Sequence, residues 1–349
     1  GGQSYLYRVS YKGTESTELS ILDTTSKHAT ARTTRRMLET FHGAPNAQAI
    51  EKAWPYLGSD DYHLRYAARI AIEWQDPKSW AKKAYDEKDD LAAIHGLLGL
   101  ARSDLQDSLQ PSIDRLLKVN FNHLDKTGKL ALLRTYAVSM SRGGKPDEEQ
   151  IKAVGAQLDA FYPAKDDNLN EELCRVLCYL DHPSVVSKTV SLMKTTKAKI
   201  PDYDVEVMKR HAGYGGKILS TMQQDVMPNV LNIHFLFCLK DVQSGWTMED
   251  RKAYLGELQG LMTKKGGNMF TGYIQKIRES AIASVPEKDR VSLQYLMGTV
   301  KSIDLAKLPK AKGPGVAWTV ESALKELNKE PLLGRNYSNG KKMFSAGLC

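Results

Sequence analysis

The stretch Leu57-Gly-Ser-Asp-Asp-Tyr-His-Leu-Arg-Tyr-Ala-Ala-Arg-Ile-Ala-Ile-Glu73 decides the fold class of this 349-residue chain. Asp60 and Asp61 can each cap the N-terminus of a helix through a side-chain oxygen. Apolar side chains then follow at i, i+3, i+4 and i+7, the spacing of one helix face: Ala67, Ile70, Ala71 and Trp74. The stretch therefore predicts an amphipathic helix that begins beside Asp61 and buries one face.

The same spacing returns three more times along the chain. Corresponding positions lie 30, 36 and 43 residues apart: Leu64, Ile94, Leu130 and Leu173. These intervals are close to the roughly 40-residue period of paired-helix repeats, which bury their apolar faces by stacking. The sequence predicts an all-α, HEAT/armadillo-like α-solenoid of about fourteen helices, and residues 57–73 resemble the second helix of a HEAT repeat. A compact all-α bundle is the competing fold.

The first residues follow a different pattern. Residues 5–11 alternate between two faces, and Gly13 follows them. Alternation of period two is typical of a β-strand. Because a lone strand leaves its backbone groups unpaired, we expect its sheet to lie in a preceding domain and the chain to be part of a longer protein.

Composition and charge exclude several classes. No run of about 18 apolar residues occurs, so no transmembrane helix is expected. The net charge is +8, and residues 301–349 hold nine Lys/Arg against four Asp/Glu, which leaves only +3 for the other 300 residues. A phosphate-tracking surface needs a sustained basic stripe, usually with interleaved aromatics. The sequence shows no such stripe, and nucleic acid is not an expected partner.

Candidate motifs within the helical region favour structural roles. Gly213-Tyr-Gly-Gly-Lys217 lacks the four-residue gap and the Ser/Thr of a phosphate loop, so a turn is the better interpretation. Glu39-Thr-Phe-His42 has no second copy to complete a di-iron site, and hydrogen bonding at the surface or between helices is favoured. No catalytic residue and no metal ligand is predicted.

Histidines and cysteines in the helices receive the same interpretation. His95 and His234 lie on apolar helices and are expected to be partly buried with satisfied hydrogen bonds. Cys174 and Cys178 are four residues apart, without a second Cys or His pair at metal-ligand spacing. Packing is the favoured role for both cysteines and for Cys238.

The C-terminal residues carry a resemblance. Gly334-Arg-Asn-Tyr-Ser-Asn-Gly-Lys-Lys-Met-Phe-Ser-Ala-Gly-Leu-Cys349 resembles the first helix of a class I cytochrome c domain. In that fold a glycine and an aromatic residue, here Gly340 and Phe344, pack against another helix. The resemblance makes Cys349 the first thioether cysteine of a Cys-x-x-Cys-His motif, in which two cysteines anchor haem c and the histidine ligates iron.

The whole chain is similar to bacterial multidomain haem-c proteins of the membrane-bound dehydrogenase type. Those proteins join a sugar-dehydrogenase-like β-propeller, a HEAT-repeat region and a C-terminal cytochrome c domain. The similarity rests on the order of several segments: residues 5–11, 54–73, 211–216, 245–252, 266–278 and 313–320.

The resemblance implies four parts in this chain. Residues 1–13 would be the last strand of the propeller, and residues 14–302 a HEAT-like repeat domain. Residues 303–330 would form a Lys/Pro/Gly tether with a short helix, and residues 331–349 the start of the cytochrome c domain.

The same resemblance implies a function. The chain would be a non-catalytic scaffold between propeller and cytochrome in an exported, periplasmic oxidoreductase. Its partners would be those two neighbouring domains, and a further expectation is a protein on the concave face of the solenoid. Haem c would belong to the parent protein and none to this chain. The alternative is a general protein–protein interaction solenoid with no redox role, and an enzyme with its active site in residues 14–300 is the least favoured hypothesis.

Overall fold

The computed structural model describes residues 8–18, 27–103, 105–198, 228–264, 266, 269–298, 317–327 and 336–346. All regular secondary structure within these ranges is helical, which confirms the all-α prediction. The α-helices there are α1 Ala29–Glu39, α2 Ala49–Ala53, α3 Tyr62–Glu73, α4 Ala81–Asp86, α5 Asp90–Arg102, α6 Leu109–Leu116, α7 Lys126–Gly143, α8 Glu148–Asp159, α9 Asp167–Tyr179, α10 Val185–Thr195, α11 Val230–Leu239, α12 Met248–Leu261, α13 Phe270–Ala283, α14 Glu287–Met297, α15 Val320–Leu327 and α16 Tyr337–Ala346.

Aspartate caps fix the beginnings of five of these helices. The Asp61 carboxylate accepts hydrogen bonds from the backbone N–H groups of His63 and Leu64 at the start of α3, at 2.8 and 3.3 Å. Equivalent caps open α5, α7, α8 and α9: Asp89, Asp125, Asp147 and Asp166. Each cap satisfies a backbone donor that has no partner inside its helix. The helix start expected beside Asp61 is therefore confirmed.

The first eleven helices form two layers. Helices α1, α3, α5, α7, α9 and α11 pack side by side in chain order, and we call them the odd layer. Each also packs on a helix of the even layer, which contains α2, α4, α6, α8 and α10. Each even-layer helix and the odd-layer helix that follows it form a hairpin. The odd-layer helices of successive hairpins pack on one another, as in a solenoid of paired helices.

The four positions that the sequence predicts to be equivalent in successive repeats lie on successive helices of the odd layer. Leu64, Ile94, Leu130 and Leu173 lie on α3, α5, α7 and α9, all members of the odd layer. Ile94 and Leu173 are fully buried, and Leu64 and Leu130 are half-buried. The irregular repeat read from the sequence is therefore the step from one odd-layer helix to the next.

The chain divides into two compact units. The first contains residues 1–201 and 229–250, and the second contains residues 202–228 and 251–349. The boundary near residue 250 falls within the predicted helical domain 14–302. In the second unit, Arg278 of α13 donates from Nη2 to the carbonyls of Leu296 and Gly298, at 2.8 and 2.6 Å. This guanidinium satisfies carbonyls that the end of α14 leaves unpaired.

The strand predicted over residues 5–11 is not formed in its described part. Residues 8–11 have no strand pairing, and Val9 and Tyr11 are exposed; residues 5–7 lie outside the described ranges. A β-strand needs a second strand with which its backbone N–H and C=O groups can pair. The described residues contain no such strand. The short helix expected near residues 319–328 is present as α15.

No helix in the described ranges combines the length and apolar character needed to cross a membrane.

Candidate functional site

Exposed aromatic side chains and arginines occur together on the odd layer. Tyr62 and Tyr66 of α3 are 60% and 49% exposed, and their rings stack with centroids 6.2 Å apart. The guanidinium carbon of Arg69 lies 5.2 Å from the centroid of the Tyr66 ring, within the range of a cation–π contact. Arg69 also pairs with Glu73, so positions i, i+4, i+7 and i+11 form one stripe.

Neighbouring odd-layer helices add further cations to this surface. Arg102 of α5 donates from Nε to Glu73 at 3.0 Å, so one carboxylate faces two guanidinium groups. Arg134 of α7 is exposed and makes no hydrogen bond or ion pair with the described residues. Arg175 of α9 pairs with Glu172 at 2.5 Å. We define the odd-layer surface as the exposed side chains Tyr62, Tyr66, Arg102 and Arg134, together with the half-buried Arg175 and the buried Arg69 that pairs beneath Tyr66.

His95 lies between α5 and the arginines of α3. Burial and the charges of Arg65 and Arg69 lower its pKa to about 4. Neither ring nitrogen has a hydrogen-bond partner in the described structure. The prediction that His95 is partly buried is confirmed, and the prediction that its hydrogen bonds are satisfied is wrong. The two buried arginines enforce a neutral imidazole, which single-helix periodicity cannot reveal.

Three cysteines and one histidine form a thiol cluster between α9 and α11. The sulfur atoms of Cys174 and Cys178 are 3.7 Å apart, and the Cys238 sulfur lies 3.4 Å from His234 Nε2. Cys174 and Cys178 are buried and Cys238 is half-buried. The predicted packing role of the first two cysteines is confirmed.

Sequence reasoning missed that the two helices bring this cluster together. His234 and Cys238 have the same i, i+4 spacing as Cys174 and Cys178, and this shared spacing was the available signal. The described residues contain no group of three or more His, Cys, Asp or Glu arranged to hold a metal ion. The two contacts join Cys178 to Cys174 on α9 and Cys238 to His234 on α11.

Protonation in the thiol cluster follows its environment. Burial raises the pKa of the Cys174 thiol well above its ordinary range. Its hydrogen bond with Cys174, together with burial, raises the pKa of Cys238. Burial opposes a charged His234, but hydrogen bonds to Cys238 and to the Glu171 carbonyl raise the pKa of this imidazole overall. Cys174 and Cys238 are therefore neutral thiols at neutral pH.

The remaining histidine motif has a structural role. His42 Nε2 lies 2.9 Å from the Ala67 carbonyl of α3, and Glu39 pairs with Arg35 on its own helix at 3.1 Å. The predicted hydrogen bonding between helices is confirmed for His42. Residues 213–217 lie outside the described ranges.

A polar cavity of about 340 Å³ lies among the ends of α5, α6 and α7. Three of its serines donate their hydroxyl hydrogens to main-chain carbonyls: Ser103 to Leu100, Ser108 to Leu105 and Ser112 to Ser108. A serine nucleophile instead needs its hydroxyl directed at a base. The geometry of this cavity does not suggest serine-based chemistry.

Cys349 lies outside the described residues, and α16 just before it is described. Its Gly340 has no atom within 4 Å of an added Cβ position, and Phe344 is 63% exposed. The face that would pack against a second helix in a cytochrome c is thus uncovered by the described residues. Haem c requires two thioether cysteines and a histidine, and Cys349 can supply only one of these groups. The residues of this chain alone do not fit a haem, and no chemical step is derived through one.

Comparison with known proteins adds no relative, because no family model, no curated protein and no solved structure matches the chain. The fold class therefore rests on the two helix layers, and the proposed function rests on the side chains of this chain and their geometry.

Proposed function

We propose that this chain is a non-catalytic helical-repeat scaffold that connects a dehydrogenase propeller to a haem c domain in an exported oxidoreductase. The observation that carries the scaffold role is the uninterrupted packing of the odd layer from α1 to α11. A spacer must keep its shape under load, and stacked repeats do so when each interface is fixed by specific contacts.

Polar contacts supply that specificity between consecutive hairpins. Lys126 Nζ of α7 binds Asp166, the cap of α9, at 2.6 Å. Gln150 Nε2 of α8 donates to the Gln110 carbonyl and to Asp114 of α6, at 2.9 and 2.7 Å. Sliding one hairpin along the next would leave the buried Gln150 unpaired, which costs about 1–3 kcal/mol; the exposed Lys126–Asp166 pair contributes less.

The redox setting of this scaffold comes from the resemblance of residues 334–349 to a cytochrome c helix. Haem c in the parent protein would accept electrons, and Cys349 would form one of its thioether bonds. Export follows from haem attachment outside the cytoplasm. Each of these statements depends on the residues that follow Cys349.

Haem staining of the natural gene product, produced in a bacterium with the haem-attachment machinery, tests this proposal. We expect covalently bound haem, a c-type visible spectrum, and loss of the covalent stain in Cys349→Ser. Replacing the buried Cys178 with Ala is the matched control and should keep the stain. A downstream sequence other than x-x-Cys-His, or a protein without haem, would refute the redox setting.

Charge distribution favours a second candidate function, a protein-interaction solenoid that binds an acidic segment of a partner. The six odd-layer helices hold eleven Lys/Arg against six Asp/Glu, a net +5. The five even-layer helices hold seven Lys/Arg against six Asp/Glu, a net +1. A potential of one sign on one layer attracts an oppositely charged ligand, and Tyr62 and Tyr66 offer it apolar contacts.

Fluorescence anisotropy with a labelled Glu/Asp-rich peptide tests this second function. Arg134→Glu should weaken binding by about tenfold or more, because a favourable charge becomes a repulsive one. Lys152→Glu makes the same charge change at an exposed site on α8 of the even layer and should have a much smaller effect. Equal losses in the two variants would show only a response to net charge and would argue against a site on the odd layer.

A further inference from the structure

One acid beside the odd-layer surface faces two arginines from different helices. Glu73, the last residue of α3, accepts a hydrogen bond from Arg69 of its own helix. Both of its carboxylate oxygens also accept from Nε of Arg102, the last residue of α5, at 3.0 and 3.2 Å. The Glu73 side chain is only 15% exposed. Glu73 therefore neutralises cations that an acidic partner would otherwise meet.

A cavity of about 710 Å³ lies beside this contact. Its lining includes two cations, Arg102 and Lys78, and two acids, Glu73 and Asp107. Lys78, Arg102 and Asp107 are exposed, so a side chain of a partner can enter from solvent. The charges of these four residues cancel, and an incoming carboxylate is therefore attracted only weakly while Glu73 faces Arg102.

Arg102 keeps hydrogen-bond donors that Glu73 does not use. A guanidinium carries five N–H donors in a planar fork, and among the described residues Arg102 donates only through Nε. Its Nη groups are left for a second carboxylate, which an arginine can bind through two parallel hydrogen bonds. Such a carboxylate would share Arg102 with Glu73 and would be repelled by it.

The contact between Glu73 and Arg102 has little to add to stability. Solvent-exposed ion pairs gain modest Coulomb energy and lose side-chain freedom, and the Arg102 side chain is 50% exposed. Helices α3 and α5 pack on each other through buried apolar faces without this contact. The charges of the pair bear more on what binds in the cavity than on how the two helices are held.

We propose that this cavity takes a carboxylate side chain of an acidic partner, and that Glu73 is an internal competitor for Arg102. The inference rests on the second candidate function, the binding of an acidic segment, and names the place where that segment docks. Glu73 lowers the affinity of the site for every acidic partner, because each partner has to share Arg102 with it. Tyr66, whose ring lies over Arg69, offers apolar contact to the rest of the segment.

Fluorescence anisotropy with the labelled Glu/Asp-rich peptide and the 349-residue chain tests this competition. Glu73→Gln keeps the shape of the side chain and removes its charge, so it should tighten binding by about threefold or more. Glu149→Gln makes the same charge change at an exposed site on α8 of the even layer and should leave the affinity nearly unchanged. No gain in Glu73→Gln, or equal gains in the two variants, would overturn the inference.

A second variant separates local competition from a long-range effect of charge. Arg102→Met should weaken peptide binding by about threefold or more, and adding Glu73→Gln to it should restore little, because the contested guanidinium is gone. The same gain from Glu73→Gln with and without Arg102 would overturn the competition. Arg102 is exposed, so Arg102→Met should fold even where Glu73→Gln does not, and an unchanged affinity in Arg102→Met would by itself overturn the docking site. Circular dichroism checks the folding of each variant.

Failure of this inference and failure of the second candidate function give different results. Peptide binding that Arg134→Glu weakens but that Glu73→Gln and Arg102→Met leave unchanged would overturn the docking site in the cavity and keep the interaction function. Absence of peptide binding in the wild type and in Glu73→Gln alike would overturn both. Binding of a control peptide with Gln and Asn in place of Glu and Asp would also contradict the inference, because that peptide carries no carboxylate side chain.

Discussion

Burial and two nearby guanidinium groups keep one imidazole of the fold neutral. His95 is held beside Arg65 and Arg69, and its pKa falls from 6.5 to about 4 through burial and these charges. Protonation would place three like charges between α3 and α5. The interface therefore tolerates the histidine only in its neutral form.

This constraint predicts an acid-sensitive stability. The unfolded chain binds a proton at His95 near pH 6.5, and the folded chain binds it only near pH 4. The contribution of neutral His95 to the free energy of unfolding is therefore fully present above pH 6.5 and is lost as the pH falls toward 4. The loss should be about 1–3 kcal/mol. Urea unfolding between pH 7.5 and 4.5 should show a shallower decline in His95→Leu than in the wild type. His123→Leu, at an exposed site, should keep the wild-type decline, and identical slopes in all three proteins would contradict the argument.

Single residues also show how far the sequence could be read. Asp61 was predicted to cap a helix, because capping needs only neighbours two or three residues away. The environment of His95 depends on two arginines 26 and 30 residues earlier, and nothing in local periodicity encodes that contact. The packing of α9 against α11, which carry Cys174 and Cys238 64 residues apart in sequence, is a still more distant case.

Helices are tied to one another by buried polar contacts as well as by apolar packing. Arg115 of α6 donates from Nε to the Glu87 carbonyl at 2.8 Å and pairs through Nη2 with Asp90 at 3.0 Å. The residue is 6% exposed. It joins α6 to the connection between α4 and α5, so it fixes one hairpin against the next.

Loss of the buried Arg115 contacts should lower the free energy of unfolding more than loss of an exposed ion pair. Arg115→Met should destabilise the chain by about 2–3 kcal/mol, because Asp90 and a carbonyl lose their partner in a mostly buried site. Arg102→Met is the matched control, since the Arg102 side chain is half exposed and its pair with Glu73 should contribute about 1 kcal/mol or less. Urea unfolding followed by circular dichroism measures both, and equal losses would argue against a structural role for Arg115.

At the scale of the whole molecule, the net charge is distributed differently over the two helix layers than along the sequence. Sequence composition places most of the +8 in residues 301–349, whereas the fold collects +5 on the six odd-layer helices and only +1 on the five even-layer helices. Counting along the chain could not separate these layers, because their helices alternate in sequence. The helical period was visible in sequence, and the assignment of each helix to a layer required the tertiary packing.

A scaffold must hold α1 and α11 apart, and the distance between these helices tests that claim most directly. Nitroxide labels at Arg36 of α1 and Phe237 of α11, both exposed, can be attached through a ketone-bearing unnatural amino acid that leaves the native thiols untouched. Five successive helix contacts of about 8–10 Å each predict a narrow distance distribution centred at about 40 Å or more by double electron–electron resonance. A distance below about 30 Å, typical of a compact bundle of this size, would contradict the account.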